Sequence, residues 1–149
     1  MTRGGSSIEP VRRLLAVLGS GRWCAEIGTA FGEGAAALAE TAAHVVTVEI
    51  DPERAALALR RLVEATNVEL LVGDWHDELV GRGPFGLIFF DGGPLDDLDT
   101  VVSLLEPGGF LVKDDLTPPE RSALFGNPRL VAAEIQVAAE RAALVAVRR

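Results

Sequence analysis

EIGTAFGEG, residues 26–34, stands between a short apolar run and an alanine-rich one and carries three glycines within seven positions. Each glycine costs conformational entropy on folding, so glycines this close together mark a backbone that must turn sharply or be closely approached. The flanks say where the turn lies. RWCAEI (22–27) reads as a buried strand and GAAALAETAA (34–43) as a helix, so the loop joins strand to helix.

The same alternation continues outward. Upstream, Ile8, Val11, Leu14, Leu15 and Leu18 recur at helical spacing, and GSG (19–21) ends that helix. Downstream, HVVTVEI (44–50) is rich in β-branched residues and reads as a second strand. Asp51-Pro52 then supplies an N-cap and a first-turn proline, with Ala55, Leu59, Leu62 and Val63 on one helical face. NVELLVG (67–73) is a third strand. FGLIFFDGG (85–93) is a fourth, apolar throughout and therefore covered on both faces. Leu95, Leu98, Val102 and Leu105 predict a helix, and PGG (107–109) turns the chain into a fifth strand, FLVKDD (110–115). Five strands alternating with helices imply right-handed crossovers and a parallel sheet. The end differs: in AAEIQVAAERAALVAVRR (132–149) two strand-like runs are separated only by Glu140-Arg141, which suits a hairpin and leaves the last strand antiparallel.

The 149 residues suffice for one domain, expected over residues 8–149 after a flexible start at 1–7. No apolar run is long enough to span a membrane, and MTRGGSSIEP has no secretory core, so a cytoplasmic protein without a membrane partner is expected. The single cysteine, Cys24, excludes an internal disulfide and reads as a small buried thiol. A net charge of −8 argues against nucleic acid as a partner. Between Phe89 and Glu120 there are eight acidic residues and one basic residue, Lys113. That stretch reads either as a solvated rim or as a cation site.

In an open α/β sheet, ligands bind beyond the carboxyl ends of the strands, which is where the glycine loop falls. The dinucleotide fingerprint G-x-G-x-x-G needs a second glycine so that the backbone can approach a pyrophosphate. Here the pattern is Gly28-x-x-x-Gly32-x-Gly34, with Ala30 in that place, and no Gly-Lys-Ser/Thr follows to make a phosphate loop. Glu49 closes the second strand 21 residues after Gly28, where a carboxylate can accept from both ribose hydroxyls. Adenosine without a pyrophosphate is the ligand described, and S-adenosylmethionine fits it.

EIGTAFGEG, VTVEIDP, LLVGDW, FFDGG and LLEPGGFLVKDD occur in the order and spacing of the class I S-adenosylmethionine-dependent methyltransferases. Within them the chain resembles the small bacterial O-methyltransferases related to the catechol O-methyltransferase group. The resemblance implies an α/β, Rossmann-like, doubly wound seven-stranded sheet, mostly parallel with an antiparallel last strand. It implies that Glu26 and Gly28 border the methionine part of the cofactor, with Thr29, Gly32 and Gly34 completing the turn. Glu49 would hold the ribose and Ile50 would pack on the adenine face, with Asp74 and Trp75 along the adenine edge. His76 either reaches the adenine amino group or is an exposed histidine of a helix-start turn, and His44 reads as a surface residue. Asp91 would serve cofactor and catalysis alike.

Catechol-type relatives use Mg²⁺, which prefers hard oxygen ligands and lowers the pKa of an acceptor hydroxyl. The corresponding positions are Asp91, Asp114 and Asp115, with Asp115 standing where the family has asparagine. The alternative is that Asp91 only orients the cofactor and Asp115 caps the next turn. The family's lysine base after the fourth strand is missing from DGGPLDD, and Lys113 is expected to alternate away from the Asp pair. The N-terminal helices that cover the acceptor in larger relatives are also mostly missing. The acceptor site is thus open, completed by a second subunit in a homodimer, or lost. DDLTPPERSALFGNP (114–128) is the candidate acceptor-side loop, with Phe125 lining a pocket or plugging the core. The function expected is O-methylation of a small-molecule hydroxyl, with a cofactor-binding module lacking catalysis as the alternative. A nicotinamide-dependent oxidoreductase is disfavoured by Ala30 and the terminal hairpin, and aminopropyl transfer by the short chain.

Overall fold

FGLIFF forms the strand at the centre of the sheet, and all six of its residues are buried because helices cover both faces. In the computed structural model, which describes residues 7–149, the order is α1 (Glu9–Leu18), β1 (Trp23–Ile27), α2 (Glu33–Ala39), β2 (His44–Glu49), α3 (Pro52–Leu62), β3 (Val68–Val72), α4 (Trp75–Glu78), β4 (Phe85–Phe90), α5 (Leu98–Leu104), β5 (Leu105–Lys113), α6 (Pro118–Gly126), β6 (Leu130–Ala138) and β7 (Arg141–Arg148). The expected flexible start at 1–7 lies outside the described residues except for Ser7, which is buried.

The seven strands lie in the order β3-β2-β1-β4-β5-β7-β6. The first five pair in parallel, and only β7 runs against its neighbours, between β5 and β6. This is the doubly wound, Rossmann-like sheet expected, and its strand order reverses between β1 and β4. Two apolar cores result, one per face. Val11, Leu15, Leu38 and Leu62 of α1–α3 pack with Cys24, Leu87 and Phe89, whereas Trp75, Val101, Val102 and Leu124 of α4–α6 pack with Ile27, Ile88 and Phe90. Phe85, Phe89 and Phe90 are all but inaccessible, and burying each such side chain contributes roughly 1.5–3 kcal/mol. Cys24 is buried as expected, and that burial pushes its thiol up to about 12. No helix among the described residues is long and apolar enough to cross a membrane.

Three elements depart from expectation. Helix α2 stops at Ala39, before the turn at Glu40 and Thr41. Helix α5 starts at Leu98 rather than Leu95, and Leu105 already belongs to β5, opposite Phe85. The PGG turn is absorbed as an irregularity in that strand, with Gly108 at φ 80°, before Phe110 resumes the pairing opposite Leu87. The third departure is α6. Most of the stretch expected to be the acceptor-side loop is a helix, because Thr117 and Glu120 form a capping box that places Pro118 and Pro119 in the first turn, where proline is tolerated.

Candidate active site

The carboxyl ends of β1, β2 and β4 meet at the glycine loop. Gly28 has φ 91°, and a Cβ there would overlap the Cα of Gly92 and stand 2.6 Å from its nitrogen. Only glycine lets the loop after β1 lie this close to the loop after β4. Asp91 N donates to Ile27 O at 2.8 Å, and Gly28 N and Thr29 N both donate to Val48 O at 2.9 and 3.1 Å, so the three strand ends are tied together. Gly32, at φ 86°, turns the chain into α2. Gly34 is required for another reason: Glu26 Oε2 occupies the space a Cβ would take.

Glu26 supports the loop from beneath. Its Oε1 accepts from Thr47 Oγ1 at 2.7 Å, and Thr47 Oγ1 is 2.6 Å from Thr29 Oγ1. Only 1 % of Glu26 is exposed, and burial raises its pKa well above the ordinary carboxylate range, with the charges of Asp91 and Glu49 adding to the effect. Glu49 faces the loop from the end of β2. Its two carboxylate oxygens accept from Ala30 N at 2.8 Å and Asp51 N at 3.1 Å. The first of these bonds holds Ala30 at φ 48°, a conformation non-glycine residues rarely adopt. Beside it Ile50, just past the end of β2, is 70 % exposed, an apolar side chain left open to solvent.

Gly73 N donates to Glu49 O at 3.0 Å, which brings the segment after β3 alongside. Asp74 caps α4, accepting from His76 N at 2.8 Å and lying 2.7 Å from His76 Nδ1. These bonds lower the Asp74 pKa and raise that of His76. His76 Nε2 reaches Asp97 Oδ2 at 3.3 Å, and its ring stacks on Trp75 at 3.7 Å between centroids. The histidine of the helix-start turn therefore links the loops after β3 and β4. His44 lies at the start of β2, 3.8 Å from Glu69.

Past the ends of β4 and β5 the side chains of Asp91 and Asp114 stay in contact, while Asp115 turns away from them. Burial first, and the charge of Asp114 second, push the Asp91 carboxyl up to about 8. Asp114 is 3 % exposed, its own pKa is raised by burial and by Asp115, and its Oδ1 has no hydrogen-bond partner. Asp115, however, sits at φ 50° and turns outward to Arg141 Nη2 at 3.1 Å. The same guanidinium nitrogen is 3.8 Å from Asp114 Oδ2. Lys113 does not alternate away as expected: it is buried, its ammonium donates to Asp114 O at 3.2 Å, and its charge lowers the pKa of both Asp91 and Asp114. Mg²⁺ demands near-octahedral oxygen ligands at about 2.0–2.1 Å. Among the described residues no three acidic, histidine or cysteine side chains gather to supply them. Asp91, Asp114 and Asp115, expected to hold Mg²⁺, thus do not gather as a three-ligand cluster, and Asp115 pairs instead with Arg141 of β7.

Beyond Arg141 opens a cleft of about 650 Å³ between α6, the segment after β5 and the β6–β7 hairpin. Phe125, 48 % exposed, lines it and does not plug the core. Leu116 and Pro118 add apolar wall, and Arg121 crosses to Glu134 at 3.0 Å from its Nη2. Glu120 Oε1 accepts from Leu95 N at 2.9 Å and so fastens α6 to the loop carrying Gly92. Arg141 has no counterpart among the residues singled out from the sequence, because no local signal pairs residue 141 with 114 and 115.

Residues 25–116 match the family described as methyltransferase domain. The protein-L-isoaspartate O-methyltransferase of Bradyrhizobium sp. (strain ORS 278) is 37% identical over 89 residues, 58% of this chain and 41% of that protein. That of Koribacter versatilis (strain Ellin345) is 34% identical over 102 residues, 67% of this chain and 46% of that protein. The chain thus spans less than half the length of these curated relatives. Among solved structures, cofactor-bound Rv0187 from MTB superposes with a TM-score of 0.83 at 25% identity, covering 100% of this chain and 84% of that one. The O-methyltransferase TomG from Streptomyces achromogenes in complex with SAM gives 0.81 at 25% identity, covering 96% and 81%. The O-methyltransferase from Bacillus cereus in complex with SAH gives 0.83 at 21% identity, covering 98% and 84%, a likeness of fold.

Proposed function

The chain belongs to the methyltransferase-domain family, and on that premise we propose that it transfers the methyl group of S-adenosylmethionine to a hydroxyl of a small molecule, in the cytoplasm. The observation that carries the reading is the Glu49 carboxylate at the end of β2, facing a glycine loop in which Ala30 stands where a pyrophosphate cradle needs glycine. Two further features fit the ligand: the Gly28–Gly92 contact, which keeps side chains out of the floor, and exposed Ile50, placed to cover a flat base. Glu49 would hold the ribose, Asp74 and Trp75 would border the adenine, and Thr29, Gly32 and Gly34 would shape the turn from which the methionine part extends. Glu26 would act from below, fixing the turn through Thr47 and Thr29.

When bound, S-adenosylmethionine supplies an electrophilic methyl group; the protein supplies alignment and a place for the acceptor's proton. Asp91 is the residue for that proton. It lies beside Gly28, just past the end of β4, and a carboxyl pushed up to about 8 holds a proton firmly, so it would act as a base in the fraction deprotonated near neutral pH, a fraction that grows as pH rises. The cleft floored by Phe125 and Leu116 is the acceptor pocket in this reading. The isoaspartate relatives favour a second acceptor, a peptide carboxylate.

Calorimetric titration with S-adenosylhomocysteine, with NAD as the control, tests the cofactor. Micromolar binding of the first and silence from the second are expected, and the reverse would reject the reading. Transfer of labelled methyl to a panel of phenols and diols, set against an isoaspartyl peptide, then separates the two acceptors.

A further inference from the structure

The acidic end of β5 already contains its cations. We propose that Arg141, with Lys113 beside it, is a built-in counter-charge that takes the place of a divalent metal ion and keeps one out. The inference holds whatever the methyl acceptor is, because it concerns only the charges at this end of the sheet.

Three carboxylates, Asp91, Asp114 and Asp115, meet two cations, so at most one negative charge is left unbalanced where a divalent ion would need two. Geometry adds to the count. A single guanidinium nitrogen lies 3.1 Å from Asp115 Oδ1 and 3.8 Å from Asp114 Oδ2, so one nitrogen stands between the two carboxylates on the side to which Asp115 turns. Lys113 closes the inner side, its ammonium on the carbonyl of Asp114 and 6.0 Å from the centre of the Phe90 ring. An incoming ion would have to displace the guanidinium and recover Asp115 to complete an oxygen shell.

The position of Arg141 is set by the hairpin. It is the first residue of β7, and the β6–β7 register slips between Gln136 and Ala138, next to the tip. From there β7 lies against β5, with Leu144 opposite Lys113, so the tip stands over the Asp pair. No other arginine or lysine makes an ion pair with Asp114 or Asp115 among the described residues.

The probe is Mn²⁺ as a stand-in for Mg²⁺, followed by its electron paramagnetic resonance signal on the full chain, with R141Q and R141K beside the unmodified protein. Circular dichroism checks that each variant is folded. The unmodified protein and R141K should leave Mn²⁺ free into the millimolar range, whereas R141Q should gain at least about tenfold in affinity, the equivalent of about 1.4 kcal/mol. Mn²⁺ bound by the unmodified protein overturns the proposal without recourse to any variant. So does R141Q binding no better than its parent, which would mean that Arg141 is not what excludes the ion. Binding by R141K as strong as by R141Q would overturn it as well, since the charge would then be irrelevant.

Discussion

The backbones of Gly28 and Gly92 touch across the ends of β1 and β4, with no room for a methyl group between them. The contact joins the two loops on which the candidate cofactor site is built, so it is a point where stability and binding can be tested together. Gly28→Ala must accommodate both φ 91° and a collision with backbone that has no rotamer to change. A loss of about 1–3 kcal/mol is expected from the strain, lowering Tm by about 2–4 °C per kcal/mol. Binding of S-adenosylhomocysteine should fall with it. An unchanged melting curve would mean that the two loops separate freely.

Glu49→Ala removes the acceptor for Ala30 N and Asp51 N as well as the proposed ribose partner. S-adenosylhomocysteine binding should weaken by about 1–3 kcal/mol, as for other hydrogen bonds to a charged group. Calorimetry at equal affinity for variant and parent would reject the ribose assignment.

Asp91 links stability to pH. Its folded-state pKa lies near 8, far above that of an unfolded aspartate, so between about pH 4 and 8 the folded protein binds the extra proton. Stability contributed by this group is therefore complete at the acid end and is lost as pH rises through the window. The raised pKa values of Glu26 and Asp114 act in the same direction. Asp91→Asn should flatten the decline and raise Tm at pH 8 by a few degrees, about 2–4 °C for each kcal/mol recovered. A denaturation series showing the same slope in both proteins would place the titration elsewhere.

Phe125 separates acceptor binding from folding. It is about half exposed, so Phe125→Ala should change stability by no more than about 0.5 kcal/mol. If the cleft holds the acceptor, KM for the acceptor should rise several-fold while S-adenosylhomocysteine affinity stays put. Kinetics identical to the parent's would move the acceptor to another surface.

The sheet could be read from the sequence because its strands are short runs of apolar and β-branched residues, and burial on both faces leaves β4 no polar position at all. The glycine loop was readable for a similar reason: φ values of 91° and 86° at Gly28 and Gly32 leave few alternatives to glycine. Helix α6 carries a local signal as well: the prolines of Thr117-Pro-Pro-Glu120 suggest a rigid loop, while Thr117 and Glu120 three residues apart make the capping box of a helix start. Lys113 and Arg141 are different. Alternation along β5 ceases to apply where the strand ends, and the flexible stem of Lys113 brings its ammonium back to Asp114. The Arg141 contact spans 26 residues and depends on how the hairpin docks. Charge pairs between distant segments leave no local pattern.

The insertion of β7 between β5 and β6 also fixes how the outermost strand is attached. Strand β6 pairs with β7 and with no other strand, so it can join the sheet only as the outer arm of a hairpin whose inner arm seats on β5. Until that arm arrives, Asp114 and Asp115 lack their guanidinium. The electrostatics of this corner are thus divided between two parts of the chain: the five parallel strands bring Lys113 with β5, and the second cation comes only with the hairpin that docks on it.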